Sequence, residues 1–107
     1  MIVTVYATFA DRAEAERVAR LVVEERLAAC ANILAPCQSI YRWEGKMEDA
    51  EEIPVLFKTA AAQAQLLIER IVALHSYDVP AAVVWPAAQA LPAFAAWVEE
   101  ETRPAMR

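Results

Sequence analysis

One glycine in 107 residues, Gly45, marks the tip of the stretch that most limits how this chain can fold. Around it the segment from Cys30 to Thr59, CANILAPCQSIYRWEGKMEDAEEIPVLFKT, reads as a long hairpin. Its first arm carries Ile33, Ile40, Tyr41 and Trp43, its second Ile53, Val55, Leu56 and Phe57, with Glu44-Gly45 between Trp43 and Lys46. Glycine takes the positive φ of a tight primed or bulged turn at no steric cost, so an X-Gly pair between such arms is a strong hairpin signal. The arms exceed what a small domain requires. Either the hairpin projects to contact something, or its far half pairs with another chain.

The length predicts a single domain, 1–107, able to bury a core without metals or disulfides. A net charge of -5 weighs against nucleic acid, which selects a basic surface. No apolar run reaches the roughly 18 residues of a membrane span, and MIVTVYATF lacks the basic start of a signal peptide. The expectation is a soluble cytoplasmic protein with neither nucleic acid nor membrane as partner. Cys30 and Cys37 lie seven positions apart on one extended arm, roughly 23 Å at about 3.3 Å per residue. Disulfide geometry requires Cα atoms within about 7 Å, so the thiols are expected to be free. With His75 the only histidine, one chain cannot build a tetrahedral site of nitrogen and sulfur ligands.

Taken in order, Ile2 to Phe9 is a β-branched, aromatic first strand. Asp11 and Glu14 form a capping box opening a helix with Ala15, Val18, Ala19 and Val22 on one stripe, expected to run to about Ala28. After the hairpin, Thr59 is the expected N-cap of a second helix, with Ala64, Leu67, Ile68, Ile71 and Leu74 inward and its end near His75. Val79 to Trp85 is a strand bracketed by Pro80 and Pro86, which should place it at a sheet edge or leave it paired only between the prolines. A last helix from Pro92 presents Phe94, Trp97 and Val98 to the body, and the tail after Thr102 is read as loose. The order βαββαβ plus a helix is the α+β, ferredoxin-like sandwich: a four-stranded antiparallel sheet covered by helices on one face. The other face should be polar. Here strands carry apolar groups on both parities, Val83 and Trp85 beside Ala82 and Val84, and Tyr6 beside Val5. Such a face calls for a partner, most simply a second copy of the chain.

Four blocks now stand out: Leu27-Ala28-Ala29-Cys30 with Asn32-Ile33; Ser39-Ile40-Tyr41-Arg42-Trp43-Glu44-Gly45-Lys46; Glu51-Glu52 leading to Phe57-Lys58-Thr59; and His75-Ser76-Tyr77-Asp78-Val79-Pro80. Together they resemble the signature blocks of the CutA divalent cation tolerance proteins, over essentially the whole chain. The resemblance implies a cytoplasmic homotrimer akin in fold and assembly to the PII signal proteins, non-enzymatic, with no obligatory cofactor, tied to tolerance of copper and other divalent metals. Some members bind copper(II) through a cysteine near the end of strand one and a pair of histidines before the last block. Here those positions are Ala7 and Leu74, leaving His75, with Cys30 or Cys37 as the thiol available to join it for Cu(II) or another divalent cation.

His75 has two readings, metal ligand or helix C-terminal cation. Lys58, on an apolar strand, should pair with Glu52, Asp78 or a neighbouring subunit's carboxylate. A cleft between subunits is expected from Tyr41, Trp43, Lys58, Tyr77 and Asp78, with His75 nearby. Trp43, Trp85 and Trp97 are assigned to core and subunit contacts, and the acidic run Glu48 to Glu52 to keeping an edge strand soluble. The competing function is an acylphosphatase-like hydrolase with its site at the subunit clefts. That chemistry needs a cradle of backbone amides after strand one, and Ala7 to Ala13 holds no glycine. Iron-sulfur and RNA roles fall on two cysteines and an acidic balance. The hairpin is read as the clasp of the trimer.

Overall fold

The computed structural model describes residues 1–104. The tail read as loose lies, over 105–107, outside the described residues. The elements are β1 (Ile2–Phe9), α1 (Arg12–Glu24), β2 (Cys30–Ile33), β3 (Cys37–Trp43), β4 (Lys46–Ala60), a single 3-10 turn (Ala61–Gln63), α2 (Ala64–Leu74), β5 (Ala82–Pro86) and α3 (Pro92–Glu101). The sheet order is β2-β4-β1-β5, antiparallel throughout, the ferredoxin-like arrangement. β3 pairs only with the first half of β4, from Cys37 opposite Glu52 to Trp43 opposite Lys46.

The first hairpin arm is therefore two strands rather than one. Leu34 N–H still reaches Pro54 O at 3.0 Å, but Pro36 has no ladder donor, and regular pairing stops after Ile33 and resumes at Cys37. Cys30 and Cys37 face Lys58 and Glu52, six positions apart on β4, about 20 Å at the strand rise. Both thiols are free. The β3–β4 ribbon projects from the body. It accounts for a radius of gyration of 14.4 Å and a longest extent of 45 Å, where a globule of this length would have a radius near 13 Å.

At the tip Glu44 has φ 51 and Gly45 φ 80, with the strands closing on either side. Two successive left-handed residues in a two-residue loop make a primed turn whose twist matches the strands. A Cβ added at Gly45 would meet nothing within 4 Å, so the cost of a side chain there is backbone strain alone. Gly45→Val should lower stability by about 1–2 kcal/mol and Gly45→Asn by clearly less, because asparagine tolerates this region. Urea unfolding of the two variants checks the ranking.

α1 begins as expected: Asp11 accepts the Glu14 N–H at 2.8 Å, while Glu14 Oε1 accepts from Ala10 N–H at 3.4 Å. It ends at Glu24, not Ala28. Arg26 takes φ 64, a conformation usually left to glycine, and Leu27 N–H turns back to Val22 O at 2.9 Å. Thr59 is not the N-cap of α2. It stays in β4, its hydroxyl donating to Leu27 O at 2.7 Å, and α2 starts after the 3-10 turn with no side-chain cap. β5 begins at Ala82 rather than Val79 and holds Pro86 opposite Val3. It is an edge strand, paired only with β1.

The helices cover one face of the sheet. Val5, Ala7, Phe9, Val55 and Phe57 pack there against Val18, Val22, Leu67 and Ile71, all fully buried, each large side chain worth about 1.5–3 kcal/mol over exposure. α3 reaches only the end of the sheet, where Val98 packs on Ile2 and Ala29. Phe94 and Trp97 do not join the body as expected: their rings lean on each other at 5.9 Å and stay largely exposed. On the opposite face Tyr6 stacks on Trp85 at 5.0 Å and 13°. Trp85 and Val83 there are 47% and 49% exposed. Among the described residues none of the three tryptophans is buried. Among the described residues no helix is long and apolar enough to cross a membrane.

Candidate functional site

Where the β3–β4 ribbon leaves the sheet, its uncovered face meets the segment that follows α2. Alternation along β3 sends Ser39, Tyr41 and Trp43 to the same side. With Glu52 of β4, Thr8 of β1 and Ser76, Tyr77, Asp78, Val79 and Ala81 they line a cleft of about 540 Å³.

Three buried polar groups fix the 76–78 segment over it. His75 ends α2, and its ring lies 4.7 Å from Phe9 at 16°, with the Tyr77 ring also 4.7 Å away. His75 Nε2 is 2.7 Å from Thr8 O, and Nδ1 accepts the Tyr77 N–H at 3.1 Å. A carbonyl can only accept and an N–H can only donate, so this pattern assigns the proton to Nε2. Nδ1 also lies 3.8 Å from Glu14 Oε2, but a nitrogen already accepting cannot donate to that carboxylate, so the pair is a neighbourhood and not an ion pair. Glu14 is instead occupied by the loop: Oε2 accepts Ser76 N–H at 2.7 Å and Oε1 the Ser76 hydroxyl at 3.0 Å.

Below the loop Glu52 is 9% exposed. Its Oε2 accepts the Tyr77 hydroxyl at 2.9 Å and the Thr8 hydroxyl at 3.4 Å. Burial first, then the hydrogen bond and charge of Glu52, raise the Tyr77 phenol well above its ordinary 10.0. Burial likewise raises Tyr6, with Cys37 and Glu52 adding to it. The sign follows: a phenol held neutral in the fold contributes stability that is complete below pH 10 and is lost as pH rises beyond it. Alkaline unfolding followed by phenolate absorbance should show Tyr77 ionising late, and Tyr77→Phe should flatten the stability loss above pH 10.

The residues proposed from sequence separate here. Tyr41, Trp43, Tyr77 and Asp78 line one cleft. Lys58 does not. Its Nζ donates to Asn32 Oδ1 across the β2–β4 pair, and it stands six positions along β4 from Glu52, one of the acids expected to hold it. Cys30 and His75 are not brought together either. Ala31 and Ile33 pack on the core, so Cys30 turns to the opposite face, whereas His75 lies against core Phe9. Along the sheet Cys30 is level with Thr4 through Lys58, and His75 with Thr8, about 13 Å further on. Both nitrogens of His75 already have partners in the fold, so its ring is neither an open metal ligand nor a free helix-end cation. The described residues contain no group of three or more His, Cys, Asp or Glu placed to hold a metal, and the donors present do not fit a copper centre. The sequence reading placed Glu52 at the cleft only as a partner of Lys58, and missed Thr8, Ser39 and Ser76 as cleft residues and Glu14 as the anchor of its loop. The readable signal was parity: Ser39, Tyr41 and Trp43 alternate on one strand.

The sequence profile of the CutA1 divalent ion tolerance proteins matches residues 3–101. A divalent-cation tolerance protein CutA of Thermus thermophilus is 42% identical over 88 residues, covering 82% of this chain and 85% of the relative. A chloroplastic protein CutA of Arabidopsis thaliana is 34% identical and aligns with 94% of this chain; the chain spans about half of that relative, 56%. The solved structure of an Archaeoglobus fulgidus protein, titled a periplasmic divalent cation tolerance protein CutA, superposes with a TM-score of 0.93 at 35% identity, covering 96% of this chain and 100% of that one. Profile, sequence relatives and fold agree, and the chain belongs to the CutA1 divalent ion tolerance protein family.

Proposed function

We propose that this chain works as a non-catalytic homotrimer in the response to divalent metal ions, copper among them, as a PII-like signalling or scaffold protein rather than through a copper centre of its own. The observation that carries the assembly is the uncovered sheet face. Tyr6, Val83 and Trp85 form an apolar surface that no described element covers, and on the same parity it continues into the projecting ribbon with Tyr41 and Trp43 exposed. Monomers seldom leave such surfaces wet. Against catalysis, His75 and Glu14, the groups best suited to proton transfer, are bound into the fold. A hydrolase of the acylphosphatase kind finds no cradle after β1, where Asp11 caps α1 and Arg12 pairs with Glu16 at 3.2 Å.

Calorimetric titration of tag-free protein with copper(II) tests the metal side. The expected result is binding no tighter than about millimolar, near -4 kcal/mol. A micromolar site abolished by His75→Gln would contradict the reading.

A further inference from the structure

The cleft has a chemical character that its place in the family does not supply. Its walls carry two carboxylates, Glu52 and Asp78, two aromatic rings from the ribbon, Tyr41 and Trp43, and, among the described residues, no basic side chain. Glu52 is nine-tenths buried, and both hydroxyls that reach it land on Oε2. Among the described residues no side-chain nitrogen or oxygen is both fully buried and unpartnered, so Oε1, to which no hydrogen bond is directed, is not fully buried, and Glu52 is one of the residues lining the cleft. A buried carboxylate with one oxygen held by the protein and the other open is a preformed acceptor for a positive charge.

We propose that this cleft binds an organic cation, a primary ammonium carried on an apolar or aromatic body. The single open oxygen suits a compact ammonium donor. A guanidinium fork needs both oxygens, and Oε2 is already taken. Trp43 and Tyr41 offer ring faces to the cation and apolar area to its body. A bare divalent ion would use none of this aromatic surface and would find only two carboxylates, of which Asp78 is exposed on the rim. The cleft opens on the same uncovered face as the assembly proposed above, and the inference rests on that assembly leaving the cleft open.

The test is calorimetry of full-length, tag-free protein with 2-phenylethylamine and its neutral counterpart 2-phenylethanol, at pH 7. The amine is expected to bind with Kd below about 1 mM and at least about tenfold tighter than the alcohol. Glu52→Gln should erase that difference. Trp43→Leu, a change on the exposed ribbon that leaves the core intact, should weaken the amine by about fivefold or more. Equal binding of amine and alcohol, or an amine affinity untouched by both variants, overturns the proposal. So does magnesium binding that Glu52→Gln removes and the amine does not compete with.

Discussion

Val83→Asp is expected to turn the assembled protein into folded monomers at micromolar concentration. Val83 sits on edge strand β5, opposite Tyr6 and two positions from Trp85, with half its surface open. In an isolated chain the carboxylate would point into water, and the loss would be confined to strand preference and some apolar contact, within about 1 kcal/mol. In an assembly that covers this face, each subunit would have to bury an unpaired carboxylate, costing several kcal/mol at every copy of the interface. The difference between those magnitudes makes the variant decisive. Circular dichroism should report a retained fold while the mass falls to one chain. An unchanged mass would move the contact to another surface.

The second large effect is at His75. Its side chain has no solvent exposure, and it joins three pieces of the chain: the Phe9 ring by stacking, Thr8 through Nε2 and the Tyr77 amide through Nδ1. His75→Ala removes a buried ring and strands two hydrogen-bonding groups. By analogy with large-to-small core changes and with unsatisfied buried partners, the loss should be about 3–5 kcal/mol. Chemical unfolding measures it. The same variant should leave the copper(II) titration unaltered, because neither nitrogen is open to a metal. A small stability loss coupled with a large loss of copper affinity would reverse the assignment.

How far these features could be read from the sequence depends on the range over which each is set. Gly45, the capping Asp11 and Pro92 act within a few residues, and each turn or helix start appears where local chemistry places it. The end of α1 was invisible because Arg26 adopts a left-handed φ with no glycine to announce it. Thr59 offered a capping side chain, but its hydroxyl was claimed by Leu27 O, a partner 32 residues away. Lys58 was expected to seek a carboxylate, yet the β2–β4 register set Asn32 on its face of the sheet, diagonally across from it. Register is a tertiary fact. Glu52 was hidden inside an acidic run whose other members are solvated, and only the crossing of β1 and the 76–78 loop buries it. Tyr41, Trp43, Tyr77 and Asp78 fell in sequence blocks that the fold brings around one cleft, while His75 lies just beneath as its support.

The uncovered face joins the fold to the proposed function, and its occupant decides what the hairpin is for. Sedimentation equilibrium of the tag-free chain at micromolar concentration reads this directly. The account predicts a single species of three times the 11.9 kDa chain mass. A species of one chain mass, stable on concentration, would contradict it.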